Sequence, residues 1–404
     1  LEAADVMFRI DKDAKILIVF SLFCTFGVSN IVPYIPIFGR EIGMPVALIG
    51  NLVLLYYLLQ AVTRIPLGRL SDLIGHHKPV LLGSLLYLFS ALAFMGSMKV
   101  WPLLFLGEIF LGLANSITWV TVPSYITSSS NALPVYSFSV GLGWLIGSPT
   151  GGYIKDTFGM GWVFFTLFVV ALVLIYLSWL FYFESSDLTR RESVRNFIRM
   201  STVSPSTIPI YPSLKSYLEG WRLLRTNSAL LFASLFSFIV FMTFGLGASI
   251  VPLYFSEIGI ASFFIGILIS IRVATSTFIK LTCRKLTSSF GNYRVLIVST
   301  VIAGLFIVLV SLTDQFLLLA IFSALWGLGS GLYLPIVFDI IGKNTEQADR
   351  GIAMGIRGTL GTFGAAFGTW AFSLIAGSFS LGNSLFAAGI FAALGSLVLG
   401  VAFR

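Results

Sequence analysis

The sequence predicts an all-α membrane protein with twelve transmembrane helices in two six-helix pseudo-repeats. Composition, the number of long apolar runs, and a pattern that returns at a fixed offset carry that prediction. Of 404 residues, 57% are apolar and 10% charged, and mean hydropathy is +0.96. A soluble chain carries about 25% charged residues. An apolar run of about 20 residues crosses a bilayer. Twelve occur, at 16–38, 46–67, 79–98, 102–126, 133–154, 162–183, 228–255, 261–281, 294–313, 315–341, 352–377 and 382–402. Helices are predicted because an open strand cannot satisfy its backbone in hydrocarbon.

The first run holds Gly27, Asn30, Pro33 and Pro36. Prolines free backbone carbonyls, so this helix is expected to face protein or a cavity. The second keeps Gln60 and Arg64 in its inner half and leads into Gly68-Arg69-Leu70-Ser71-Asp72-Leu73-Ile74-Gly75-His76-His77-Lys78. This stretch is read as a tight polar turn, its glycines allowing a sharp reversal. Glu41-Ile42-Gly43 returns as Glu257-Ile258-Gly259, an offset of 216. At that offset Gly50 meets Gly266, Arg64 meets Lys280, Leu70 meets Leu286, Ser71 meets Thr287, Gly75 meets Gly291, and Lys78 meets Arg294. Thr25-Phe26-Gly27 likewise matches Thr243-Phe244-Gly245. Two parallel repeats joined by one loop have a transporter layout. The expected organisation is an N-terminal segment 1–15, a first bundle 16–183, a linker 184–227 and a second bundle 228–404.

Net charge is +8, and its placement sets topology. The N-terminus and alternate loops hold Arg9, Lys12, Lys15, Arg69, Lys78, Arg284, Lys285, Arg294, Lys343 and Arg350, besides seven bases in the stretch Glu184 to Arg225. The intervening loops hold only Arg40, Lys99 and Lys155. Excess bases stay in the cytoplasm, so both termini are expected there, in a cell membrane. The absence of any Asn-x-Ser/Thr acceptor fits a prokaryotic inner membrane. The basicity is therefore a topology signal and makes no case for nucleic acid. The stretch from Glu184 is read as a tether, although its flanks could form amphipathic helices on anionic headgroups. Met7 is the expected natural start, with no cleavable leader ahead of the first run.

Inventory excludes several chemistries. Cys24 and Cys283 are isolated in different halves, and the only histidines, His76 and His77, are adjacent. They build neither a disulfide framework nor a metal site. The spans hold no paired carboxylates or activated nucleophile, so no catalytic residue is named and no enzyme is expected. No nucleotide-binding loop occurs, and no cofactor is expected.

Gly68-x-Leu70-Ser71-Asp72-x-x-Gly75 resembles the signature between the second and third helices of the major facilitator superfamily. The family pattern is Gly-x-Leu-(Ala/Ser)-Asp-(Arg/Lys)-x-Gly-(Arg/Lys)-(Arg/Lys), and this chain departs from it at Leu73, His76 and His77. The resemblance covers essentially the whole chain and implies the major facilitator fold. It implies that Asp72, with Gly68, Arg69, Gly75 and Lys78, helps lock an outward-facing state. Gly143-x-x-x-Gly147-Ser148-Pro149-Thr150-Gly151-Gly152 resembles the family's antiporter motif, its proline one place late. Glycines at this spacing let helices approach closely. Gly27-x5-Pro33-x-x-Pro36 resembles a pattern of drug-exporter branches.

Ionisable residues inside the spans are few, and each is costly enough to need a partner or a wet cavity. Glu108 lies in the fourth span, where the family usually has an arginine linked to proton transfer, and Arg272 lies mid-span in the eighth. The family architecture brings these two helices to the interface between halves, so the pair is expected to couple protons by meeting and separating. Arg64, Lys280, Asp339 and Arg357 lie near inner helix ends and are read as snorkelling. The family's path-lining spans supply Asn30, Asn115, Thr118, Thr243, Ser249 and Tyr333 as polar candidates. Trp119, Phe244 and Trp326 are candidates for stacking a solute.

The resemblance thus implies a monomeric secondary active transporter working by alternating access. Its expected partners are a small-molecule substrate, a proton or other coupling ion, and the lipid bilayer. Proton-coupled export of small amphipathic compounds is the leading expectation. The alternatives are a facilitator or importer of an organic anion anchored on Arg272, and a non-transporting receptor on the same fold.

Overall fold

The computed structural model describes residues 11–127, 132–184, 218, 220–346 and 349–403. Most of the linker, and with it the reading of Glu184 to Arg225 as a tether, lies outside them. The first bundle comprises α1 (Lys12–Glu41), α2 (Val46–Ile74), α3 (His77–Ser97), α4 (Leu103–Thr127), α5 (Leu133–Phe158) and α6 (Met160–Glu184). The second comprises α7 (Ser228–Ala248, continued by Ile250–Glu257), α8 (Ser262–Phe290), α9 (Asn292–Val310), α10 (Phe316–Asn344), α11 (Arg350–Ser378) and α12 (Leu381–Ala402). Eleven of these are long and apolar enough to cross a membrane among the described residues. The remaining helix, α5, is diluted by its glycines, serines, Lys155 and Asp156.

The repeat is written into the backbone. Gly43 and Gly259 share φ of +84°, and Gly75 and Gly291 have φ of +83° and +80°. Glycine visits this left-handed region without a Cβ penalty, so the same two turns recur at the predicted offset. The polar turn is shorter than predicted. Helix α2 continues to Ile74, and only Gly75-His76 reverses the chain. Gly68 is helical, and a Cβ there would lie 2.8 Å from Val120 Cγ1 of α4. Its role is close approach, because a helix need not end where the apolar run ends.

Proline placement explains the broken helices. Helix α1 is interrupted at Val32-Pro33 and α7 at Ser249, three residues before Pro252. Pro33 cannot donate to the Ser29 carbonyl four residues back. The Ser148 hydroxyl of α5 takes that carbonyl instead at 3.3 Å. As expected from its prolines, α1 is enclosed by protein, packing on α5 and α6.

The halves meet chiefly through two helix pairs, α2 with α11 and α5 with α8, with a smaller contact between the second segment of α1 and the Ile250–Glu257 continuation of α7. One apolar core fills the first bundle and continues into the second through Ile250, Leu253, Ile265, Phe372 and Leu385, all toward the side away from the termini. A separate core, including Leu230, Phe236, Ile336, Ile340 and Ile356, serves the terminus side of the second bundle alone. The apolar cores of the two halves are therefore continuous on the far side and separate on the terminus side.

Candidate functional site

The far-side seam begins with Pro149. It cannot donate to the Leu145 carbonyl, and the Ser270 hydroxyl of α8 donates to that carbonyl at 2.7 Å. A Cβ on Gly152 would strike the Ser262 backbone, and one on Gly266 would come within 2.6 Å of Pro149 Cα. Helix α8 starts after Ala261, which has no side-chain acceptor for the free N–H groups of the first turn. Asp156 of α5 supplies it from the other half, accepting from Ser262 N at 3.1 Å and Phe263 N at 2.8 Å. The Tyr34 hydroxyl bridges the same place, touching the Ser148 carbonyl at 2.5 Å and that of Ser262 at 3.2 Å. Gly50 of α2 lies against Ser373 of α11. Toward the terminus side, by contrast, no residue of Ile279–Thr282 or Cys283–Phe290 of α8 is fully buried, and Ile279, Cys283 and Leu286 pack only on their own half.

Sequence reasoning missed Asp156 and Tyr34. The available signal was the missing cap at Ala261, but its partner lies 105 residues away in the chain. Loss of a helix cap costs about 0.5–2 kcal/mol. Asp156→Ala is expected to shift the seam toward opening by about fivefold, the factor for about 1 kcal/mol. A cysteine at the buried Ile265, with Cys24 and Cys283 replaced by serine, reads this as faster far-side labelling by an impermeant maleimide. An unchanged rate would show that the cap does not hold the seam.

Helix α5 uses its glycines on two faces. Gly143, Gly147 and Gly151 lie one turn apart against α1, where added Cβ atoms would meet Thr25, Ser29 and the Asn30 carbonyl respectively. Gly152 and Pro149 instead face α8.

Several residues predicted to line the path are turned into the bundles. Asn30 is fully buried against α5 and donates weakly to the Gly147 carbonyl at 3.4 Å. Thr118 faces Gly83 of α3 and donates to the Ala114 carbonyl, while Thr243 and Ser249 donate to Val240 and Gly245 carbonyls. Helical Ser and Thr hydroxyls commonly satisfy themselves this way. Asn115 Oδ1 accepts from Tyr87 and Trp119, each at 3.0 Å. Since Tyr87 donates there, the Cys24 thiol is left to donate to Tyr87 at 3.1 Å. Tyr333 donates to Ser237 and accepts from Arg357 at 3.2 Å. Trp326 is buried beneath Arg272, and of the nine candidate path residues only Phe244 is substantially exposed.

Glu108 is buried on α4, and its Oε2 has no hydrogen-bond partner. The expected pairing with Arg272 is absent. Arg272 instead lies 4.3 Å from the Trp326 ring centroid and against Gly247. The physical reason is packing: α8 meets α5 and α10, and α4 meets α2 and α3. Tyr57 of α2, unremarked in the sequence, lies within electrostatic reach of both Glu108 and Arg272.

The snorkelling reading is corrected for two residues. Arg64 Nη1 donates across the seam to Thr362 of α11 at 3.1 Å. Arg357 is buried, bonded to Tyr333 and 4.9 Å from the Phe338 ring centroid. Neither forms an ion pair among the described residues, and the Nε atoms of both are buried and unpartnered. Lys280 is exposed as predicted, and Asp339 pairs with Lys343 at 2.6 Å near the helix end. In the turn motif, the side chains of Arg69 and Asp72 lie outside the described residues. Lys78 is exposed, and His77 packs on Phe181 with ring centroids 4.3 Å apart.

Two like helical bundles that meet along a seam and hold buried charged groups inside their spans have the architecture of a membrane transporter. The model of the Major Facilitator Superfamily matches residues 17–256 and 233–404, and the chain belongs to that family. It is 21% identical to an uncharacterized MFS-type transporter of Methanocaldococcus jannaschii over 98% of each chain. It is 25% identical to the multi-drug resistance efflux pump PmrA of Streptococcus pneumoniae, covering 94% of this chain and 92% of the pump. Among solved structures, a POT family transporter in complex with 5-aminolevulinic acid superposes with a TM-score of 0.77 at 13% identity, covering 96% of this chain and 95% of that one. These likenesses make the protein a multi-pass membrane transporter; at 13% identity the solved structure speaks to fold alone.

Proposed function

We propose that the protein is a proton-coupled exporter of small amphipathic compounds, with both termini in the cytoplasm. The observation that carries this reading is Glu108, a buried carboxyl group inside a span with an unpartnered oxygen and no ion pair among the described residues. Such a group can take up and release a proton as the halves rock. Tyr57 of α2 is within electrostatic reach of both Glu108 and Arg272. Similarity to multidrug efflux pumps supports export. Residues 16–183 and 228–404 would act as the rocking units, and Asp72 with its neighbours as a terminus-side clamp.

The organic-anion reading is kept because Arg64, Arg272 and Arg357 lie inside the spans without acidic partners among the described residues. Proteoliposomes with a trapped pH indicator, exposed to a panel of amphipathic dyes, test the choice. Coupled exchange moves protons when a dye is added. Dye movement without protons would indicate facilitation, and the absence of any counterflow would favour a receptor.

A further inference from the structure

The two arginines at the seam between α2 and α11 are unexplained by proton coupling. Arg64 reaches from the first bundle to Thr362, and its Nη1 lies 3.7 Å from where a Cβ on Gly358 would stand. Gly358 follows Arg357 directly, and the two guanidinium groups are within electrostatic reach. Like charges held together inside a membrane protein repel and are poorly solvated, so a conserved balance of energy calls for an anion or a wet cavity. Among the described residues no carboxylate pairs with either. Each retains a buried, unpartnered Nε. A guanidinium matches an oxyanion better than any other ligand, through paired charge-assisted hydrogen bonds.

The surroundings suggest what accompanies the anion. Phe241 of α7 lies 3.3 Å from the Cβ position of Gly361, one helical turn along α11 from Arg357. Its ring is 5.3 Å from that of Phe244, which is exposed. We propose that Arg64 and Arg357 form a binding site for the carboxylate of a small organic anion whose apolar part lies against Phe241 and Phe244. The site joins the two bundles, so an occupant bridges both halves. This deepens the organic-anion reading kept above by placing its anchor at the α2–α11 seam and adding an aromatic subsite, and rests on that reading only for the ligand's fate after binding.

Calorimetry on the protein in phosphatidylcholine nanodiscs tests it, with 2-naphthoate and its neutral counterpart 2-naphthylmethanol as probes. Naphthoate should bind at least about tenfold more tightly than the alcohol, the scale of one charge-assisted bond. Arg64→Gln and Arg357→Gln should each erase that preference while leaving the weak binding of the alcohol. Arg357→Lys and Thr362→Val should reduce it, and they serve if the glutamine variants do not fold, as judged by their unliganded Tm. Equal affinity for acid and alcohol, or a preference that survives every substitution, would overturn the proposal. So would arginine-dependent retention of phosphatidylglycerol by the protein with no naphthoate binding, which would make the site a lipid contact. Naphthoate binding without flux in liposomes would keep the site and remove the transport cycle; proton-coupled dye flux without anion preference would do the reverse.

Discussion

Glu108→Gln is expected to abolish proton-driven accumulation while leaving substrate binding and downhill exchange. Glutamine keeps the size of the side chain and its hydrogen-bonding reach, so packing on α4 should be retained. What it removes is the exchangeable proton. Each unit of pH gradient is worth about 1.4 kcal/mol, or about tenfold in accumulation for one coupled proton. At a gradient of about two units, accumulation should therefore fall by about a hundredfold, to the equilibrium level. Because Arg272 is stacked on Trp326 and not paired with Glu108, Arg272→Ala should not mimic this loss by freeing the carboxylate. A partial loss through the altered field at Tyr57 remains the expected result. Uptake into everted vesicles, measured with and without an imposed gradient, separates the two variants. Normal uphill transport by Glu108→Gln would make this carboxylate structural.

Gly147→Leu is expected to eliminate transport through packing alone. Even a first carbon would meet Ser29 Oγ and lie 2.5 Å from the Phe26 carbonyl of α1. A side-chain obstacle could rotate away, but the backbone of α1 is fixed by its own helix. Ser29 is committed as well, donating to the Gly143 carbonyl at 3.0 Å. Overpacking typically costs about 1–3 kcal/mol, and the strain here falls on the helix that also holds the far-side seam. Membrane expression should persist, since each bundle keeps its other contacts, while vesicle flux should drop to background. Retained flux would mean that α1 and α5 can separate by a carbon's width without consequence.

Much of this architecture was legible because it depends on local chemistry. Positive-φ glycines at Gly43, Gly75, Gly259 and Gly291 mark equivalent turns, and their 216-residue spacing survives where most other residues have diverged. The α5 glycines were readable for the same reason, since small residues at helical spacing report close contact. Rotation of a side chain about its helix was harder to read. Arg64 and Arg357 stand near helix ends, which suggested snorkelling, yet both turn inward. Arg357 lies on the face of α11 that meets Tyr333 and Phe338 of α10, a contact that no spacing within α11 announces. Asp156 was illegible for another reason: its role depends on a backbone it meets only after the two bundles assemble. Asn30 shows the converse error, a polar residue assigned to the path that serves a helix contact.

The central claim is that the halves rock about this seam, closing one side as the other opens. Double electron–electron resonance on two labelled pairs measures it directly, with Cys24 and Cys283 replaced by serine. Labels at the exposed Trp101 and Leu312 report the far side, and labels at the exposed Phe183 and Phe290 report the terminus side. On acidification, and again in Asp156→Ala, the account predicts a longer far-side distance together with a shorter terminus-side distance. Two distances that stay fixed under both conditions, or that lengthen together, would contradict it.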